Sequence, residues 1–189
     1  MITLKSAREI EAMDRAGDFL ASIHIGLRDL LKPGVDMWEV EEYVRRRCKE
    51  ENVLPLQIGV EGSIMDYPYA TCCSLNDEVA HAFPRHYILK DGDLLKVDMV
   101  LSEPIDKSVL DVSKLDFDNV AQVKKYTESY AGGLADSCWA YAIGTPSDEV
   151  KNLMEVTREA MYLGIEQAVV GNRIGDIGAA IQEYAESRG

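Results

Sequence analysis

Apolar side chains recur at spacings of three and four through Ile10, Met13, Gly17, Leu20, Ile23, Leu27 and Leu30, which predicts one long helix with a single buried face. Ser6 stands before Ala7-Arg8-Glu9 and forms a capping box with Glu9, so the helix starts there. Lys32-Pro33-Gly34 stops it. Asp36 and Glu39 make a second capping box, and Val40, Tyr43, Val44, Arg47 and Cys48 carry a second helix to about Glu51. Residues 54–60 read as a strand, 61–73 as a loop containing Asp66-Tyr67-Pro68-Tyr69, and 79–83 as a short extended piece. Lys90-Asp91-Gly92-Asp93 is turn chemistry. Residues 94–101 follow as a nearly continuous apolar strand interrupted by Lys96 and Asp98.

Residues 102–133 break the pattern. They hold six acids, four bases and only scattered apolar positions, and read as a long inserted excursion. Strand character returns over 134–143. Thr145 caps a helix that has Pro146 at its first position and Val150, Leu153, Met154, Thr157, Met161, Ile165 and Val169 along its face. Gly171 ends that helix, and residues 174–188 form another. Helices, a strand group, an excursion, a strand and two more helices describe an α+β chain.

The candidate chemistry is carboxylate chemistry. The short motifs for phosphate loops, dinucleotide sites, serine hydrolases and helix-borne zinc sites are absent. With only His24, His81 and His86, a three-histidine zinc site is close to excluded. His24 reads as a surface or packing residue of the first helix. Asp98 shares a strand face with Leu94, Lys96 and Val100, and a mid-strand carboxylate needs a positive partner. Either Lys96 pairs with it, or Asp98 has a metal-binding or catalytic role. Asp136 leads into Ser137-Cys138-Trp139-Ala140-Tyr141 in the same manner, as a turn aspartate or as a second ligand. Two such aspartates facing one cleft can hold divalent cations. His81, among small and apolar neighbours, is a core group or a proton shuttle. Tyr67, Tyr69 and Cys72 line an apolar pocket or pack a loop.

Charge narrows the partners. Acids outnumber bases 33 to 20 and the net charge is −13, which disfavours direct nucleic-acid or anionic-membrane binding. No apolar run approaches the roughly 20 residues of a membrane helix, and no secretory signal opens the chain. Four cysteines without a CxxC pair suit reduced thiols and a cytoplasmic location. At 189 residues, one domain is expected.

Asn76-Asp77-Glu78-Val79-Ala80-His81, Gly92-Asp93-Leu94-Leu95-Lys96-Val97-Asp98 and Asp136-Ser137 resemble, in that order, the signature of the bacterial type I methionine aminopeptidases. Asp66-Tyr67-Pro68 ahead of Cys72 and the segment Arg173-Ile174-Gly175-Asp176 fit the same family. The likeness covers nearly the whole chain apart from roughly residues 103–130. It implies a pita-bread fold, a curved antiparallel sheet backed by helix pairs. It implies a metal-dependent hydrolase that removes the initiator methionine from nascent proteins by attack of a hydroxide activated between two divalent ions, Co, Mn, Fe or Zn. By resemblance, Asp98 would chelate one ion and Asp136 would bridge both. His81 would contact substrate and assist proton transfer, and Tyr67 and Cys72 would line the methionine side-chain pocket.

Two departures qualify the match. The excursion 102–133 separates aspartates that the family keeps close. The family's remaining ligands, a histidine and two glutamates, and its second substrate-contacting histidine come from segments beyond Arg188. The chain therefore reads as a single incomplete catalytic domain over 1–189 with the C-terminal part of the fold missing, and it is expected to be inactive alone. The alternative is a non-catalytic pita-bread protein that binds peptides or the ribosome. A proline-specific peptidase of this fold fits less well, because the chain has no extra N-terminal domain.

Overall fold

The structure is a computed structural model that describes residues 4–189. Its contacts divide the chain at Gly144 into two compact units. In the first, α1 (Ala7–Leu30) and α2 (Trp38–Glu50) lead into β1 (Cys72–Leu75) and β2 (Leu94–Ser102). A 3₁₀ turn (Val112–Lys114), α3 (Val120–Thr127) and β3 (Leu134–Ala142) follow. The second unit is α4 (Asp148–Glu166) and α5 (Ile174–Ser187).

The three strands form one antiparallel sheet in the order β1-β2-β3. Alternation along β2 sends Leu95, Val97, Met99 and Leu101 into the core, all of them 0% exposed, and leaves Lys96, Asp98 and Val100 on the other, partly open face. α1 covers the buried face through Ala16, Phe19, Leu20, Ile23 and Leu27, and α2 through Val40, Val44 and Cys48. The buried stripe of α1 is rotated from the expected one, because Ile10 and Met13 are exposed while Ala12, Ala16 and Phe19 are buried.

Local signals succeed where a side chain satisfies the backbone. The Ser6–Glu9 capping box is present in both directions. At α2 only half of the expected box forms. Glu39 accepts from the Asp36 amide, but the Asp36 carboxylate is drawn to the Trp38 and Tyr87 amides and to His86. The cap of α4 is Ser147 and not Thr145.

Two expected strands are absent. Residues 54–60 touch β2 through an isolated pairing of Pro55 with Leu101 and a few flanking bonds. Pro55 has no N–H to continue a ladder, and Gly59 turns the chain at φ +90°. Residues 79–83 form a loop because His81 takes the left-handed conformation, φ +58°. Cys72 and Cys73, expected in the preceding loop, belong to β1.

The excursion 102–133 is packed structure. Asn52, itself left-handed at φ +57° and buried, donates from its amide to the Ile105 and Leu110 carbonyls, while its oxygen accepts from the Val112 amide at 2.8 Å. Val112, Leu115, Phe117 and Val123 then enter the core. Within the second unit, α4 and α5 pack where Gly164 allows the side chains of Ile177 and Ile181 to approach, and Tyr184 donates to Glu159.

Candidate metal centre

The sheet register assembles the expected carboxylates. Asp98 stands opposite Cys72 on β1 and Cys138 on β3, and Asp136 stands opposite Val100. Asp98 and Asp136 are therefore diagonal neighbours on one face, a separation of about 7–8 Å between backbones that carboxylates can close. Their groups do interact. Burial pushes the Asp98 carboxyl up, the adjacent Asp136 charge pushes it further, and His81 pulls it back down. Two like charges kept together on a partly desolvated face are a donor set that a hard cation satisfies. Lys96 does not relieve them. Its Nζ donates to the Asn76 carbonyl at 2.6 Å. Among the described residues no group of three or more His, Cys, Asp or Glu side chains converges on a metal-sized site, so the two aspartates stand as a pair.

His81 is exposed on the loop between β1 and β2, not a core group. The loop doubles back over β1, with the Cys73 amide donating to the Ala82 carbonyl at 2.9 Å.

Tyr67 and Cys72 lie side by side. The Tyr67 hydroxyl donates to the Thr71 carbonyl at 3.0 Å and sits beside the Cys72 thiol. Burial comes first among the causes that raise both ionisations, so both groups stay neutral. The rings of Tyr67, Tyr69 and Phe83 meet edge-on with centroids 5.1–6.2 Å apart. Gln57 donates to the Cys72 sulfur at 3.6 Å. The result is a neutral, aromatic and sulfur-lined wall next to the carboxylates.

Two residues escaped the sequence reading. Gln57 is the first. Glu41 is the second: it is wholly buried, and it carried a signal, an acid one position from Val40 and three before Val44 on the apolar stripe of α2. His24, expected as a surface or packing residue, is a packing one, fully buried behind β3. Its Nε2–H donates to the Ser137 carbonyl at 3.2 Å, its Nδ1 meets the Tyr141 hydroxyl at 2.7 Å, and its ring stacks on Trp139 at 4.8 Å. Because a carbonyl can only accept, the Nε2–H tautomer is fixed.

Burial holds His24 down at about 4, against an ordinary value of 6.5. The unfolded chain therefore binds this proton more readily, and the stability due to neutral His24 is present above pH 6.5 and lost as pH falls toward 4. The loss is on the order of 3 kcal/mol. Urea unfolding at pH 7 and pH 4.5 checks it. The drop is larger in the wild type than in His24→Gln, and equal drops would contradict this account.

Comparison with known proteins supplies the remaining context. The family model described as metallopeptidase family M24 matches residues 11–102 and 125–189 and leaves only part of the excursion and the first ten residues unmatched. A methionine aminopeptidase from Streptococci is 88% identical in structure-based alignment, with a TM-score of 0.93, covering 100% of this chain and 68% of that one. A methionine aminopeptidase from Thermotoga maritima is 31% identical at a TM-score of 0.79, covering 99% and 63% respectively. Methionine aminopeptidase 1 of Bacillus subtilis is 32% identical over 187 residues, which are 99% of this chain and 63% of that protein. The chain thus spans a little under two thirds of the length of these last two relatives. The likeness bears out the pita-bread expectation, an α+β fold on an antiparallel sheet. No helix among the described residues is long and apolar enough to cross a membrane.

Proposed function

Because this chain belongs to metallopeptidase family M24, we propose that it carries two metal-holding carboxylates and the side-chain pocket of a methionine aminopeptidase acting on nascent chains in the cytoplasm. The observation that carries this reading is the diagonal placement of Asp98 and Asp136 on one open sheet face. Asp98 and Asp136 would hold the divalent ions. Such ions, Mn, Fe, Co or Zn, supply a nucleophile at neutral pH and polarise the scissile carbonyl.

The chain's own residues do the rest. The wall of Tyr67, Tyr69, Phe83 and Cys72 receives an unbranched thioether, which gains sulfur–aromatic contact and asks for no polar partner. Tyr67 keeps its hydroxyl turned to the Thr71 carbonyl and so presents a ring, not a polar group, to the side chain. His81, exposed on the loop between β1 and β2, would contact the substrate and assist proton transfer there. The two compact units belong, on this reading, to one catalytic domain with residues 102–133 inserted.

The test is release of free methionine from a short peptide beginning Met-Ala, by the protein as expressed from its own gene. A chelator abolishes release and added Mn²⁺ restores it. Release that survives the chelator, or stoichiometric peptide binding with no turnover under any divalent ion, overturns the proposal.

A further inference from the structure

The strand face and the aromatic wall are joined by residues 66–71, and the way this segment is fastened was not legible in the sequence. Glu41 holds it from inside. One carboxylate oxygen accepts the Ala70 amide at 2.8 Å, and the other accepts the Thr71 amide at 2.9 Å and its hydroxyl at 2.6 Å. Arg45, one helical turn on, neutralises Glu41 through Nε at 2.5 Å and also donates to the Pro68 carbonyl. The third arm of Arg45 leaves the pocket: Nη1 pairs with Asp118 of the inserted segment at 2.6 Å.

A second fastening reaches the same segment from α3. Lys124 Nζ pairs with Asp66 at 2.8 Å, immediately before Tyr67. Thr127 donates to the Ile58 carbonyl at 3.1 Å, and Gly59 lies so close to α3 that a Cβ there would stand 2.7 Å from the Lys124 Cβ. Gly59 and Val60 are bonded to the Tyr67 backbone in both directions, each at 2.8 Å. Tyr67 is thus bracketed by two ion pairs, at Asp66 before it and through Arg45 at Pro68 after it, and the insertion supplies one partner of each.

We propose that Glu41 and Arg45 are positioning residues of the pocket, and that the inserted segment, through Asp118 and Lys124, sets where the Tyr67 ring stands and so how selectively the pocket holds a methionine side chain. This rests on the reading that Tyr67 lines the substrate pocket. The physical basis is that a buried, fully bonded carboxylate fixes two consecutive backbone amides, whereas an aromatic wall on an unfastened loop would hold its ligand loosely.

Glu41 itself is a poor probe, since its loss threatens folding. The informative variant is Asp118→Asn with Lys124→Met, which opens both outer arms and leaves the buried pair intact. In the protein from its own gene, KM for a methionyl peptide rises roughly five-fold while kcat stays within about two-fold. Preference for methionine over norleucine narrows, and Asp118→Glu in place of Asp118→Asn restores much of it. Amide exchange at residues 66–71 becomes roughly ten-fold faster while exchange in α1 is unchanged. Unchanged exchange overturns the positioning, whatever the enzyme does. Equal losses in kcat and KM, tracking the folded fraction, overturn the role in selectivity. A wild-type protein that releases no methionine defeats the proposed function instead, and the exchange result then decides the positioning alone.

Discussion

On the function proposed above, asparagine in place of Asp98 lowers methionine release by on the order of 10³-fold and leaves the fold as stable as before or slightly more so. The first half follows from the carboxylate pair. An amide keeps the shape of the side chain but loses the charge that would hold a divalent ion, and metal activation contributes several kcal/mol to such a hydrolysis. The second half follows from the electrostatics of the sheet. Asp98 is partly buried beside Asp136, diagonal to it across the β2–β3 ladder, and the two charges oppose each other. Removing one relieves about 1 kcal/mol or less. Activity assays and urea unfolding on one preparation separate the two effects. Lost stability in proportion to lost activity would mean that Asp98 is a structural residue.

The largest effect on stability falls elsewhere. Glu41→Ala strips the Ala70 and Thr71 amides and the Thr71 hydroxyl of their acceptor and leaves Arg45 without its buried partner. Breaking a buried ion pair from one side costs about 3–5 kcal/mol. At roughly 2–4 °C per kcal/mol for a chain of this size, the melting temperature falls on the order of 10 °C. Arg45 retains Asp118 and the Pro68 carbonyl, but Asp118 is largely solvated and compensates weakly. The double change Glu41→Leu with Arg45→Met loses less, since it removes both charges together, but it still leaves the buried Ala70 and Thr71 donors without their acceptor. Differential scanning calorimetry distinguishes these values, and a Glu41→Ala shift below 2 °C would show that the amides find another acceptor.

These two residues mark what the sequence reveals and what it hides. Asp98 was visible because a charge in an apolar strand is anomalous by itself, and α1 was visible because capping and periodicity are local. The partnership of Asp98 with Asp136 came from the family resemblance, but their diagonal register did not, because residues 102–133 intervene and the register depends on a ladder the sequence does not encode locally. Residues 102–133 read as an unpatterned excursion for a related reason. Val112, Leu115, Phe117 and Val123 follow no helical or strand period, yet each reaches the core once Asn52 fixes the entry of the segment. Pro55 and the left-handed His81 defeated two apolar runs that composition alone would make strands. His24 was left open between surface and packing because the partners that make its burial tolerable, Ser137 and Tyr141, lie more than a hundred residues away.

The central claim is that Asp98 and Asp136 together hold divalent cations. Its most direct measurement is Mn²⁺ titration followed by electron paramagnetic resonance, on the protein from its own gene and on the same protein with Asp98→Asn and Asp136→Asn. The account predicts saturable binding in the wild type and its loss in the variant, with the unfolding midpoint preserved. Binding of equal affinity and stoichiometry in both would contradict it.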